Sequence, residues 1–283
     1  MVTLGLRARP AVIADQKQIS NLIFFESHVH RHLDWRTPLD WLGSGNYWVL
    51  EDERRITAAL ACSQDPPGIA WLRLFTHASY LSGPEAWAPL WSAIRAEIQS
   101  QGKATVGVIA LHGWLQDILR ENNFQLKQHI VMLEWFDQTI DLFPVPKDII
   151  VRKMITDDLE QVVETDASAF VPLWRNSYSA LQKALSQAIF ATVAEKDGQV
   201  IGYQLSTPNP LGAHLARLAV RKEAQGQGLG QALLADLFIQ LRKRGLDRLT
   251  VNTQDDNSTS LALYQKTGFR RTGEDFPVFV YEL

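Results

Sequence analysis

Set against itself at an offset of about 144 residues, the chain repeats, and a duplication of domain length constrains the fold more than any single element does. Arg9, Val12, Asp15 and Ile19 recur as Arg152, Ile155, Asp158 and Val162, which reads as an opening strand running into an amphipathic helix. Val49-Leu50-Glu51 through Ile56 recurs as Val193-Ala194-Glu195 through Val200: a strand, a charged turn and a strand. Arg73-Leu74 recurs as Arg217-Leu218, and Phe124 as Phe269, each phenylalanine closing a short helix. Ordinary domains hold roughly 100 to 200 residues, so 283 residues suit two. Between the copies, Asp137 to Asp148 contains Pro144 and Pro146, whose missing amides and restricted backbone favour an extended connector. The expected division is a first domain over 1–138, a linker over 139–148 and a second domain over 149–283.

In the second half, Ile149 to Ile155 reads as a strand, and Asp157 to Ala169 as a helix with Thr156 at its N-cap. Leu173 to Ser186 reads as another helix. Strands Phe190 to Glu195 and Gln199 to Ser206 flank Lys196-Asp197-Gly198, whose Asp-Gly is a hairpin signal. A strand over Ala213 to Val220 leads through Arg221 to Gly228 into a helix with Leu229, Leu233, Leu237 and Leu241 on one buried face. Arg242, Lys243 and Arg244 suit the negative end of that helix, and Gly245 suits its C-terminal cap. Arg248 to Thr253 then reads as a strand, Ser258 to Thr267 as a helix ending at Gly268, and Phe269 to Leu283 as one or two closing strands. The fold class is α/β (α+β), each copy a mixed, mostly antiparallel sheet flanked by helices.

The chemistry concentrates in one strand-loop-helix unit: Leu218-Ala219-Val220, then Gln225-Gly226-Gln227-Gly228-Leu229-Gly230, then the leucine-faced helix. Glycines let backbone approach a ligand, and the unpaired amides of a helix start, with the dipole behind them, suit a pyrophosphate. Such a turn can equally serve close packing alone. A P-loop requires Lys followed by Ser or Thr after its last glycine, and Gln231-Ala232 stands there instead. A dinucleotide fingerprint requires G-x-G-x-x-G, whereas Gly226, Gly228 and Gly230 are evenly spaced.

The segment resembles the acetyl-coenzyme A signature of the GNAT superfamily, Gln or Arg, two residues, Gly, one residue, Gly or Ala, through Gln225, Gly228 and Gly230. The resemblance continues through Asn257 and Ala262-Leu263-Tyr264-Gln265-Lys266-Thr267-Gly268-Phe269, which looks like the superfamily's next helix. It covers about His214 to Phe269 and looks closest to the ribosomal-protein alanine acetyltransferase type.

The resemblance implies acetyl-CoA as cosubstrate, no metal, and direct attack by a primary amine of a small molecule or peptide N-terminus. Backbone groups of Leu218, Ala219 and Val220 would pair with the pantetheine arm and polarise the thioester carbonyl. Amides of Gln225, Gly226, Gln227, Gly228, Leu229 and Gly230 would take the pyrophosphate. Asn257 would join the same cofactor site, and Tyr264 would hydrogen-bond the departing sulfur. A phenol of pKa about 10 gives its proton to a thiolate of about 8.5 uphill by roughly 2 kcal/mol, so a hydrogen bond can suffice. Where the alanine-acetyltransferase type carries a catalytic glutamate, this chain has Asn252, which argues against importing that type's substrate. His214 is the remaining candidate base, with an ordinary surface histidine as the alternative. An amine of lower pKa, or a water chain, would remove the need for a dedicated base.

In the first half the counterpart of the glycine loop falls in His77 to Pro84, with one glycine followed by proline. Leu119 stands for Tyr264 and His112 for Asn257, so this copy lacks the coenzyme A motif. It resembles the degenerate halves of tandem GNAT proteins, as in the mycothiol synthase type. Eight of the nine tryptophans lie here, among them Trp35, Trp41, Trp48, Trp71, Trp87, Trp91 and Trp114, to fill a core or to wall a substrate groove between domains.

A net charge of -3 does not favour nucleic acid and hints only faintly at cationic amines. With no apolar run of membrane length and no signal-peptide core, a soluble, cytoplasmic protein without a membrane partner is expected. The one cysteine, Cys62, reads as a buried strand thiol. His28, His30 and His32 alternate without the further ligands a tetrahedral site needs, and read as a polar helix end or loop near the acceptor entrance. The rival to an active N-acetyltransferase is a non-catalytic acyl-CoA-binding sensor or interaction scaffold.

Overall fold

A computed structural model describes residues 5–136 and 145–283. Positions 139–144 of the expected linker lie outside the described residues. Contacts divide the chain into two units, Met1–Gln128 with Phe276–Leu283, and His129–Asp275. These units end differently from the sequence halves: residues 129–136 group with the second and the last eight residues with the first. Both strands concerned are recruited by edge pairing, which local sequence does not announce.

The first unit contains β1 (Arg7–Pro10), α1 (Gln16–Phe25), β2 (His28–Arg31), β3 (Tyr47–Asp52), β4 (Arg55–Ala61), β5 (Ile69–Trp71), β6 (Leu74–His77), α2 (Gly83–Gln101), β7 (Thr105–Ile109) and α3 (Gly113–Glu121). Strand alternation sends Leu50, Ala58 and Leu60 into one core with Trp87, Leu90, Trp91, Ile94 and Ile98 of α2. The intervening Val49, Ala59 and Ala61 pack with Ile19, Leu22 and Ile23 of α1. Trp41, Trp71, Trp87 and Trp91 are buried, as is Cys62. His28 and His30 lie in a strand rather than a helix end or loop, β2 pairing antiparallel with β6.

The second unit begins within β8 (Gln125–Phe136) and continues through β9 (Ile150–Lys153), α4 (Leu159–Ala169), α5 (Tyr178–Gln187), β10 (Phe190–Lys196), β11 (Gln199–Asn209), β12 (Gly212–Val220), α6 (Leu229–Lys243), β13 (Arg248–Gln254), α7 (Ser258–Lys266) and into β14 (Arg270–Glu282). The strand order β8-β13-β12-β11-β10-β9 is antiparallel except for β12 beside β13. Asp197 and Gly198 both take positive φ, +50° and +76°, as the hairpin turn requires. Leu229, Leu233, Leu237 and Leu241 are all buried, and Gly245 follows α6 at φ +65°.

Two local expectations change. A 3-10 turn, Thr156–Asp158, leads into α4, and Asp158, not Thr156, turns its carboxylate back to accept the Ile155 N–H at 2.8 Å. The expected helix from Leu173 is a separate turn, Pro172–Trp174, followed by α5 capped by Ser177, whose Oγ accepts the Ala180 N–H at 3.0 Å. Asp166 accepts the Asn176 N–H at 2.9 Å, which holds the chain out of helix between the two.

The duplication survives in atomic detail. Arg9 donates to Asp15 at 2.7 and 2.9 Å and to Glu51 at 2.8 Å; Arg152 donates to Asp158 at 2.8 Å twice and to Glu195 at 2.7 Å. Gln18 accepts the Ile56 N–H at 2.9 Å and Gln161 the Val200 N–H at 2.7 Å. One anchor shifts: Ala61 lies opposite Leu74 and Leu205 opposite Arg217, so the counterpart of Arg217 in the first copy is Leu74 and Arg73 sits one residue earlier.

Candidate active site

The site is built around a fork in the second unit's sheet. β12 pairs with β13 at only three positions, Ala213↔Leu249, His214↔Thr250 and Leu215↔Val251. Beyond them β12 stays paired with β11 alone, up to Val220↔Gly202. A bulge at Ala216, where Ser206↔Leu215 steps to Leu205↔Arg217, marks the start of the separation. In an antiparallel ladder, backbone groups alternate between partner and outer edge. The bond from Arg221 N to Ile201 O, 2.8 Å, sets that alternation, so Ala219 bonds inward to Tyr203 while the backbones of Leu218 and Val220 face the fork. The Val220 carbonyl accepts from the Gln225 side chain at 3.0 Å.

Gly226 and Gly228 turn the chain from β12 into α6 at φ +77° and +84°. Gly228 is the N-cap, and no side chain caps the helix. The first helical bond runs from Ala232 N to Gly228 O, so the N–H groups of Leu229, Gly230 and Gln231 have no acceptor within the helix. Gly230 has a packing role: a Cβ there would meet Leu263 Cδ2 at 2.9 Å. Gln227 reaches back to Glu223 O at 3.4 Å.

α7 carries Asn257 and Tyr264. Asn257 is its N-cap, Oδ1 accepting the Ser260 N–H at 3.1 Å, and its Nδ2 reaches Gln254 at 3.4 Å. Tyr264 is buried against Phe269 at 5.3 Å, and its hydroxyl has no hydrogen bond among the described residues. Burial raises its pKa, opposed by the nearby positive charge of Arg217.

Leu249 and Val251 pack under α6, so Thr250 and Asn252 face the opposite side, where His214 Nδ1 lies 2.9 Å from Thr250 Oγ1. His214 is half-buried, and desolvation lowers its pKa to about 4. On the same face Arg217 meets the fully buried Asp166 of α4 at 2.7 Å, donates to the Trp174 carbonyl and lies 3.5 Å from the Phe170 ring centre. Tyr203 also donates to Asp166. Burial works against the Arg217 charge, but Asp166 and Tyr203 together outweigh it and the pKa rises. Sequence reading missed this pair. A signal was present: Asp166 occupies the apolar stripe of α4 four residues after Val162, where a carboxylate calls for a buried partner.

The first unit has the same three-pair start to a fork, Ile69↔Thr105 to Trp71↔Gly107, but fills the space past it. β2 pairs along the edge of β6, with His30 opposite Phe75 and His28 opposite His77. The N-terminus of α2 is closed by its own capping box: Ser82 Oγ accepts the Glu85 N–H at 3.3 Å and Glu85 accepts the Ser82 N–H at 3.0 Å. Strand and carboxylate thus occupy the two places that remain open around Leu218 and Gly228. Among the described residues no cluster could hold a metal ion, and no helix is long and apolar enough to cross a membrane.

The acetyltransferase (GNAT) family matches residues 158–269. An uncharacterized N-acetyltransferase of Methanocaldococcus jannaschii is 37% identical over 123 residues, 43% of this chain and 78% of that protein. A putative ribosomal protein bS18-alanine N-acetyltransferase of Bacillus subtilis is 27% identical over 123 residues, 44% of this chain and 82% of that protein. Among solved structures, a tandem GNAT protein from the clavulanic acid biosynthesis pathway superposes with a TM-score of 0.66 at 17% identity, over 98% of each chain, a likeness of fold.

Proposed function

We propose that this chain, which belongs to the acetyltransferase (GNAT) family, transfers an acetyl group from acetyl-CoA to a primary amine of a small molecule or peptide N-terminus, and does so in its second half. The observation that carries the reading is the fork itself: a backbone edge at Leu218 and Val220 that no strand pairs, leading to an uncapped helix start at Gly228. Acetyl-CoA would supply the activated thioester. The amides of Gln225 to Gly230 hold the pyrophosphate, where the helix dipole favours negative charge. Leu218 and Val220 take the pantetheine arm along the strand edge, Ala219 between them being bonded to Tyr203, and direct an N–H at the thioester oxygen. Asn257 fixes the start of α7, and its amide nitrogen, held only by a long bond to Gln254, is the part left to meet the cofactor arm. Tyr264 donates its free hydroxyl to the sulfur as thiolate charge develops. The first half, taken as residues 1–138, serves as a degenerate copy that does not use coenzyme A.

The test is thermal unfolding of the intact protein with and without acetyl-CoA, beside a Gly228→Glu variant that places a carboxylate in the phosphate cradle. Ligand at about 100 times its Kd adds roughly 2.7 kcal/mol of stability. Wild type should melt higher with ligand and the variant should not move. Failure of the wild type to respond at millimolar ligand would remove the cofactor site from Gln225 to Gly230.

A further inference from the structure

The β13 face that carries Thr250 and Asn252 lies on the side of the sheet away from α6. Asn252 stands at the mouth, the first residue of β13 beyond the last pair with β12, and cannot titrate. Three ionisable side chains on that face have partners. Asp166 of α4 takes Arg217 and the Tyr203 hydroxyl. Glu134 of β8, opposite Thr250, is held by Arg248 at 2.7 Å. His214 is half-buried with Nδ1 on Thr250, and desolvation lowers its pKa to about 4. Tyr203 has its pKa raised by burial, and so does Tyr264 on the α6 side of the sheet. By contrast, Asn252 Oδ1 is the one buried side-chain acceptor of the second unit that has no donor among the described residues. A buried acceptor left unpaired is costly, and an amine N–H is the donor that would relieve it.

We infer that the acceptor is a weakly basic amine, about a tenth or more unprotonated near neutral pH, and that Asn252 aligns its nitrogen by accepting a hydrogen bond rather than by removing a proton. The inference rests on the acetyl-transfer reading. The neutral amine attacks the thioester carbon, the C–N bond forms as the C–S bond breaks, the sulfur leaves with the electron pair, and the surplus proton on nitrogen passes to solvent. A peptide α-amine titrates at roughly 8 and a lysine ε-amine at roughly 10.4, so near neutrality the neutral fraction of the first exceeds that of the second by about 300-fold.

Thiol release from acetyl-CoA is measured for two probes, alanine amide and Nα-acetyl-lysine amide, across the neutral and alkaline range. The expected kcat/KM favours alanine amide by about 300-fold near neutrality, and each profile rises to an inflection at the amine's own pKa, roughly 8 and 10.4. Asn252→Ala should raise KM for alanine amide without moving its inflection, and Asn252→Glu should narrow the preference by supplying a base. One inflection shared by both amines would show a titrating enzyme base and overturn the inference, as would a preference for the lysine probe near neutrality. Stabilisation by acetyl-CoA with no thiol release to either probe also overturns it and leaves the cofactor site standing. Absence of that stabilisation overturns the cofactor site itself.

Discussion

Gly230 of α6 and Leu263 of α7 touch so closely that a Cβ on the glycine would lie 2.9 Å from Leu263 Cδ2. The duplicated copy repeats the relationship, since a Cβ on Gly83 of α2 would lie 2.7 Å from Ile118 Cδ1 of α3. The glycines of the α6 loop therefore divide by task. Gly230 permits helix packing, whereas a Cβ on Gly226 meets nothing and its φ of +77° is the constraint.

Gly230→Val should consequently cost about 1–3 kcal/mol through overpacking and should displace the helix that carries Tyr264. Gly226→Ala should cost roughly 1 kcal/mol of backbone strain without moving α7. Urea unfolding of both variants orders them, and a Gly226 variant less stable than the Gly230 variant would contradict this division.

Asp166 and Arg217 form a buried ion pair, and removal of one partner leaves the other uncompensated. Asp166→Asn should destabilise the protein by about 3–5 kcal/mol, while the double variant Asp166→Leu, Arg217→Met should recover much of that loss. The comparison is read from unfolding midpoints at constant slope. A double variant as unstable as the single one would mean that Arg217 owes its place to stacking on Phe170 rather than to the pair.

The repeated arginine triads set a pH dependence. Arg152 lowers the Asp158 pKa through their hydrogen bonds, and Arg9 does the same for Asp15. Each folded pKa lies below its unfolded value, so the contribution is present above the unfolded carboxylate range, about pH 4, and is lost as pH falls through the folded values. Replacing Arg9 and Arg152 with Met should lower stability near neutrality, and the gap to wild type should close on acidification. Unfolding curves at several pH values check it; a gap that stays constant would place the triads' effect in packing alone.

What the sequence disclosed was local. The glycine turn, the leucine face of α6 and the Asp197-Gly198 hairpin each depend on residues a few positions apart, so composition and period suffice. The fork was not legible in the local pattern, because the bulge at Ala216 and the three-pair limit of β12 with β13 depend on register between distant strands. The filling of the first unit's fork left no side-chain signature at all. β2 pairs through its backbone, and His28-Val29-His30 carries no strong apolar alternation to announce a strand. Glu134 escaped notice for the same reason, since its place opposite Thr250 comes from a pairing across more than a hundred residues.

Tyr264 offers the cleanest separation of chemistry from stability. Its hydroxyl bonds to nothing among the described residues, so Tyr264→Phe removes no internal hydrogen bond and keeps the ring packed against Phe269. The unfolding midpoint should therefore stay within about 0.5 kcal/mol of wild type, and acetyl-CoA should stabilise the variant as before. If the hydroxyl donates to the departing sulfur, kcat should fall by about 100-fold with KM for acetyl-CoA little changed, because the interaction strengthens only as thiolate charge appears. Thioesters with more acidic thiol leaving groups should narrow that deficit, since they need less help. A variant with undiminished kcat would assign Tyr264 to the core of α7, and a deficit independent of the leaving thiol would mean that the hydroxyl acts elsewhere than on the sulfur.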